Sequence, residues 1–251
     1  MITLKSPREI DAMARAGAIV GATLARLRGL VRPGLTTEEL DAEAERFIRS
    51  HAGAKPSFKG LYGFPKTLCI SIDEEIVHGI PSAKRVLEEG NIVSIDCGVF
   101  LDGLHADSAT TVAVGKASEE AERLMTVTRQ CLEAGIAQAV AGQHVGDIGY
   151  AVQQVAEGAG FGVVKELVGH GIGARFHEDP QVPNFGRPKR GPRLVTGMTI
   201  AIEPMITAGR PETRTLSDKW TVVTADGSLA AHFEHTVAIT ENGPRVLTLA
   251  A

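Results

Sequence analysis

Cysteine is scarce in this 251-residue chain, and Cys69, Cys97 and Cys131 are far apart with no CxxC spacing. An odd count without paired spacing argues against a disulfide framework and a thiolate zinc site; it suits a reducing compartment, so a cytoplasmic location is expected. Neither sign of charge dominates. The 26 Lys and Arg against 30 Asp and Glu give a net charge of -4, which leaves no general footprint for nucleic acid. Long apolar runs are missing as well. Met1 to Arg15 carries charges throughout and has no apolar h-region, so neither a signal peptide nor a membrane-spanning helix is expected. Aromatic residues make up only 4% of the chain, so any gathering of them beside other motifs is informative. No linker or low-complexity stretch divides the sequence, and residues 1–251 read as one domain.

What is present is an ordinary globular balance, 43% hydrophobic and 22% charged, long enough to bury one substantial core. Ser6-Pro7-Arg8-Glu9 has the features of a capping box with proline at the first helical position. Ile10, Met13, Gly17, Val20, Leu24 and Leu27 follow at helical spacing, predicting a helix from about Pro7 to Val31. A second helix starts at Thr36-Thr37-Glu38-Glu39. The Gly-, Pro- and aromatic-rich stretch from Gly53 to Lys66 reads as loop, followed by a short strand over Thr67 to Ile72. Ser118-Glu119-Glu120 caps a third helix reaching about Val140, and a fourth runs from about Gly146 to Gly158. The stretches from Gly34 to Leu40 and from Gly142 to Ile148 occupy similar places between paired helices. This internal echo suggests two related halves, roughly 1–115 and 116–251, with second-half strands near 199–206, 220–224 and 230–240 and a cleft at the seam.

The centre of the sequence is Asn91 to Val114, two β-branched runs flanking Asp102-Gly103, a hairpin turn signal. With that dipeptide in the turn, Leu101 faces Leu104, Gly98 faces Asp107, and Asp96 shares a face with Asp107. Two carboxylates side by side in a sheet core are destabilising unless something positive pairs with them, and a bound cation would resolve the conflict. A single Asp in a hairpin serves equally often as a turn cap.

Three further candidates lie in the second half. His170 sits among the glycines of Gly169-His170-Gly171-Ile172-Gly173, where backbone can approach closely, although such a loop by itself is more often a turn. Glu203 ends the apolar run Gly197 to Ile202 and is followed by Pro204. Glu234 interrupts the final strand pattern, and simple alternation would point it to solvent. Taken together, Asp96, Asp107, His170, Glu203 and Glu234 form an oxygen-rich set with one imidazole. Four carboxylates can chelate two divalent ions, and hard oxygen donors with one nitrogen favour manganese, iron or cobalt, with zinc also accommodated.

In that order the five residues resemble the ligand pattern of the type I methionine aminopeptidases, members of the pita-bread metallopeptidases. The resemblance covers nearly the whole chain. It extends to Cys69-Ile70-Ser71-Ile72, Val77-His78-Gly79-Ile80-Pro81, Phe176-His177-Glu178, Glu203-Pro204 and Trp220-Thr221-Val222-Val223-Thr224. It implies an α+β pita-bread fold, with two pseudo-symmetric halves of paired helices packed on a curved antiparallel sheet. It implies two divalent metal ions (Co, Mn, Fe, Ni or Zn) and water activated between them for attack on the first peptide bond of nascent chains that begin with Met and continue with a small residue. Glu203 would act as ligand and general base, and His78 and His177 as substrate-contacting groups that stabilise the tetrahedral intermediate. Phe64, Cys69, Phe176 and Trp220 would wall the methionine pocket. Leu61 departs from the pattern, standing beside Tyr62 where family members often carry an aromatic. His105, His144, His232 and His235 have no counterpart in it.

Two basic stretches, Arg187, Lys189, Arg190 and Arg193, and separately Arg210, Arg214 and Lys219, fall in expected loops. Solvated loops are the ordinary reading, while the resemblance suggests a transient ribosome contact for the second. A monomer with no membrane partner is expected. The alternatives are another pita-bread peptidase, such as an aminopeptidase acting before proline, which usually carries an additional N-terminal domain, and a non-catalytic binding member, which would lack the ligands.

Overall fold

The computed structural model describes residues 1–250. The first half runs α1 (Pro7–Arg28), α2 (Thr37–Arg49), β1 (Lys55–Pro56), β2 (Leu68–Ile72), β3 (Glu75–Val77), β4 (Ile92–Leu101) and β5 (Leu104–Ala113). The second runs α3 (Glu119–Ala137), α4 (Val145–Gly158), β6 (Gly162–Val163), β7 (Gly169–Gly171), β8 (Glu178–Val182), β9 (Thr199–Ile202) and β10 (Met205–Thr207). It continues through β11 (Thr213–Thr215), β12 (Val222–Thr224), β13 (Ala230–His232), β14 (His235–Thr240) and β15 (Gly243–Val246).

Both first-half helices begin as their sequences dictate. At α1 the Ser6 hydroxyl accepts from the Glu9 N–H while the Glu9 carboxylate accepts from the Ser6 N–H, and Thr36 and Glu39 repeat the arrangement at α2. Each reciprocal pair satisfies two otherwise orphaned donors. Helix ends fall short of the periodicity. α1 stops at Arg28 rather than Val31, and α3 at Ala137 rather than Val140, where Gln138 and Ala139 turn back to Gly135 and Ile136 through tighter i to i−3 bonds.

The β4–β5 hairpin forms in the expected register, with Leu101 opposite Leu104 and Gly98 opposite Asp107. Asp102 (φ 52) and Gly103 (φ 84) are both left-handed, the turn whose twist matches a two-residue hairpin. The stretch expected as loop from Gly53 to Lys66 contains more order. Lys55 and Pro56 pair with Phe100 and Val99 as an edge strand, and Leu61–Gly63 make one 3-10 turn. Pro56 is compatible with that pairing because an edge strand can leave one donor unused.

The two halves share one hydrogen-bond plan. Gly34 N–H donates to Leu87 O and Leu87 N–H to Leu35 O; in the second half Gly142 N–H donates to Leu194 O and Leu194 N–H to Gln143 O. Gly90 (φ 93) and Gly197 (φ 94) then turn each chain into its central strand through a conformation that favours glycine. At the same distance along the chain from these glycines stand Asp96, within β4, and Glu203, just past the end of β9. Each helix pair packs on its own sheet. Val20, Leu27, Leu40 and Ile48 meet Ile70, Ile95 and Val99 in one half, and Leu124, Ile148 and Val152 meet Ile200, Ile202 and Val237 in the other.

Between the halves, β5 lies against β13 and β14. Glu234 N–H donates to Ala109 O at 3.0 Å, Thr111 Oγ1 to His232 O at 2.8 Å, and Ser108 Oγ to Glu234 O. Among the described residues, no helix is long and apolar enough to cross a membrane.

One distant contact ties the N-terminal segment to the second half. Lys5 Nζ meets Glu178 Oε2 at 2.5 Å, with side chains only 4% and 3% exposed, and the Lys5 N–H donates to Gly197 O at 2.7 Å. Removing one member of a buried pair strands the other charge. Lys5→Met is therefore expected to lower unfolding stability by about 3–5 kcal/mol, read as a shifted urea midpoint with unchanged slope; an unshifted midpoint would contradict the burial argument.

Candidate metal centre and active site

Glu203 and Glu234 occupy the points where the second-half ladder changes sheet. β9 pairs with β14 up to Ile202 opposite His235, and pairing resumes between β10 and β13 with Met205 opposite His232. Pro204 has no N–H to continue the ladder, and the backbone opposite it, Phe233-Glu234, also leaves strand geometry. The continuous strands expected over 199–206 and 230–240 are thus each broken in two. Each break turns a carboxylate inward, and Glu234, which alternation would send to solvent, is only 2% exposed.

The other three candidates sit within strands. Asp96 in β4 pairs with Cys69 and Ala109, and Asp107 lies in β5 opposite Gly98. His170 is central in β7, flanked by glycines whose added Cβ atoms would run into the carbonyl oxygens of Ala201 and Asp179. Glycine is required there because two strands press on the backbone.

All five side chains converge. His170 Nε2 lies 3.6 Å from Asp107 Oδ2 and 3.8 Å from Glu203 Oε1. Ligand atoms of Asp107, His170 and Glu234 all fall within 4.8 Å of one another. The His170 Nδ1 is 2.8 Å from Gly171 O; with its proton donated there, Nε2 carries the lone pair needed by a metal. Thr236, fully buried, braces Asp107: its hydroxyl accepts from the Asp107 N–H at 3.0 Å and lies 2.9 Å from Asp107 Oδ1. Asp96 Oδ1 is buried with no hydrogen-bond partner. An unpartnered buried carboxylate oxygen beside three other carboxylates is an arrangement that a bound cation would satisfy.

The electrostatics agree. Burial, then the neighbouring Asp107 and Glu203, hold the Asp96 carboxyl well above the usual range, and Glu234 is raised by burial and the same acids. Glu203 is pushed up to about 8, chiefly by burial, with His170 opposing. For His170, burial pulls downward, but the hydrogen bond and charge of Asp107, with Glu203 beyond it, prevail and lift it to about 9. The residues accordingly fit a divalent cation, which would take over the compensation that protons otherwise provide.

Beside this cluster opens a cavity of about 320 Å³. Its apolar wall includes Phe64, Cys69, Phe176 and Trp220, the four residues named from the sequence for that wall, and Phe58 and Met205, which were not. Phe64 meets Trp220 edge to face at 5.1 Å, and Phe58 meets Phe176 at 5.3 Å. Leu61 lines the same wall. His78 reaches the cavity from a left-handed backbone position (φ 61), next to Gly79, where any Cβ would strike Ile70 O. His177 comes from the turn after β7; burial and then His170 hold its pKa down at about 4. Every site residue expected from the sequence lines this one cavity.

The sequence reading missed His232 and Tyr62. His232, 2% exposed, points an unpartnered Nε2 towards Glu203 Oε2 at 3.9 Å. It occupies the register position that Asp107 holds in the first half, opposite Met205 as Asp107 is opposite Gly98. No local signal marked it, because its neighbour Glu203 belongs to a distant part of the chain. Of the basic residues expected in loops, Arg214 instead lies on the edge strand β11, which pairs with β12.

A buried cluster of carboxylates and histidine at the seam of a pita-bread fold defines a class, the metallopeptidases of that fold. Residues 11–241 match metallopeptidase family M24, and the chain belongs to that family, which implies use of a divalent metal. It is similar to the methionine aminopeptidase of Clostridium perfringens, 56% identical over 249 residues and covering 99% of both chains. Methionine aminopeptidase 1 of Bacillus subtilis is 50% identical over 248 residues, with 99% of each covered. The solved methionine aminopeptidase of Thermotoga maritima superposes with a TM-score of 0.97 at 42% identity, covering 99% of this chain and 100% of that one. An Xaa-Pro dipeptidase from Bacillus anthracis, at 22% identity and a TM-score of 0.77, covers 99% of this chain and 62% of its own; that likeness shows the fold alone.

Metal binding should release protons, because the ligands bind only when deprotonated. With His170 near 9 and Glu203 near 8 before binding, apparent affinity should climb from pH 6 to pH 9. Calorimetric titration with Mn²⁺ in buffers of different ionisation enthalpy measures the release; a buffer-independent heat at pH 7 would contradict the assignment.

Proposed function

We propose that this protein removes the N-terminal methionine from nascent proteins and peptides whose second residue is small, using two divalent metal ions. The observation that carries the reading is the shared cavity: the buried carboxylate cluster and an apolar wall line one cavity of about 320 Å³. The named activity of relatives at 50% identity and above supports the same reading.

Asp96, Asp107, His170, Glu203 and Glu234 would hold the ions. Bound there, such ions would supply Lewis acidity, lowering the pKa of water towards neutrality and polarising the scissile carbonyl. Glu203 takes the proton of the attacking water on its carboxylate and returns it to the departing amine; its rim position, 14% exposed against 3% for the Asp107 side chain, keeps it within reach of both. His78 and His177 stand on the cavity wall, where an imidazole N–H donates to the oxygen that gains charge. Phe64, Cys69, Phe176 and Trp220 surround the methionine side chain with apolar, polarisable surface that suits a thioether. Asp218 braces Trp220 by accepting from the N–H groups of Trp220 and Thr221, both at 2.9 Å.

The donor set admits cobalt, manganese, iron, nickel or zinc. The partners are polypeptides beginning with Met, the location is the cytoplasm, and the protein acts as a monomer. Arg210, Arg214 and Lys219, all exposed, make a transient, salt-sensitive contact with the ribosome.

Met-Ala-Ser should release methionine much faster than Met-Lys-Ser, and chelation should stop both reactions. Activity that survives thorough chelation, or cleavage only before proline, would overturn the reading. Asp107→Asn should abolish metal-dependent turnover, whereas His78→Ala should slow it roughly 100- to 1,000-fold and keep metal affinity; equal loss of metal in the two variants would refute these roles. Reversing the charge of Arg210, Arg214 and Lys219 should remove ribosome co-sedimentation, and unchanged co-sedimentation would refute the contact.

A further inference from the structure

One side chain at the cavity mouth is held out by an unusual backbone. Tyr62 is 71% exposed and sits at φ 50 between Gly60 (φ 92) and Gly63 (φ 89). A left-handed conformation costs a bulky residue free energy that the surroundings must offset. The turn is closed on itself by Gly60 N–H to Phe64 O at 2.8 Å and Phe64 N–H to Leu61 O at 2.9 Å. Packing does not account for the ring's placement, since most of it faces solvent. What the turn achieves is one contact: the Tyr62 ring stacks on His177 at 5.6 Å with an interplanar angle of 11°, and the phenol oxygen lies 3.2 Å from His177 Nδ1.

We propose that Tyr62 is a positioning residue for the reaction, fixing His177 in one ring orientation and one tautomer. A neutral imidazole carries a single N–H, and a bond at one nitrogen decides which nitrogen keeps it. The phenol is the better donor and the bare imidazole nitrogen the better acceptor, so the Tyr62 O–H donates to Nδ1. The proton of His177 then resides on Nε2. His177, itself on the cavity wall, presents an N–H donor rather than a lone pair to the substrate. A donor is what a carbonyl oxygen gaining negative charge requires, and a donor set in place beforehand needs no reorganisation during the reaction. Without Tyr62, the ring samples both tautomers and more orientations, and only part of the population is competent.

The inference rests on the role given to His177 above, and a double-mutant cycle on the metal-loaded enzyme separates the two. Tyr62→Phe keeps the stacked ring and removes only the hydroxyl. It should lower kcat on Met-Ala-Ser by about 3- to 10-fold, the size of one net hydrogen bond, with KM nearly unchanged. Combined with His177→Ala it should add no further loss, because the group it positions is gone. If His177→Ala alone keeps the original kcat, the role of His177 fails. If His177→Ala slows turnover while Tyr62→Phe leaves kcat intact, or the two losses multiply, the positioning role fails and the histidine's role stands.

A spectroscopic readout checks the tautomer directly. In zinc-loaded protein with ¹⁵N-labelled histidine, the His177 Nδ1 resonance, assigned by its absence in His177→Ala, should have the shift of a bare hydrogen-bonded acceptor. In Tyr62→Phe it should move towards the tautomer average. An Nδ1 that is protonated in the parent protein would overturn the proposal.

Discussion

Four carboxylates share one buried cleft with the His170 imidazole, and their mutual repulsion is the constraint around which the chain is arranged. Asp107 and Glu234 are 2% exposed, and Asp96 keeps a buried oxygen without a partner. Concentrating negative charge in a low-dielectric seam destabilises the fold unless protons or cations compensate it. The raised pKa values of Asp96, Glu203, Glu234 and His170 express that conflict. A metallopeptidase can tolerate it because binding divalent cations removes it.

The fold meets the constraint by bringing two similar halves face to face. Each half delivers a carboxylate at the same point of its central strand, Asp96 in one and Glu203 in the other, after a glycine turn and a helix pair bonded in the same way. Backbone bonds across the seam, such as Glu234 N–H to Ala109 O, fix the distance between halves without using the carboxylates themselves. Thr236 reaches from the second half to brace Asp107 in the first. The buried Asp96 Oδ1 is left without any protein partner.

The local features were the legible ones. The hairpin was readable because Asp102-Gly103 allows one tight turn, and side-chain alternation then places Asp96 and Asp107 on one face. The helix starts were readable for the same reason, since a capping box involves four adjacent residues. His170 among glycines and Glu203 before proline were noticeable as residue types out of place, and family resemblance made them a set. Glu234 was least legible: its strand pattern points outward until the ladder changes sheet. His232 and Lys5 were not legible in role at all, since their partners, Glu203 and Glu178, are distant in the chain.

By itself the sequence determined the four helices and the core hairpin, because periodicity, capping and turn chemistry act over a few residues, and family resemblance gathered the five oxygen- and nitrogen-bearing candidates. Tertiary structure alone decided that Glu203 and Glu234 turn inward at breaks in their strands, that His232 faces Glu203, and that Tyr62 rests on His177. Those outcomes depend on which strand pairs with which and on where a ladder stops. Pairing is settled by burial and hydrogen bonding across the whole chain, information that no short stretch of residues contains.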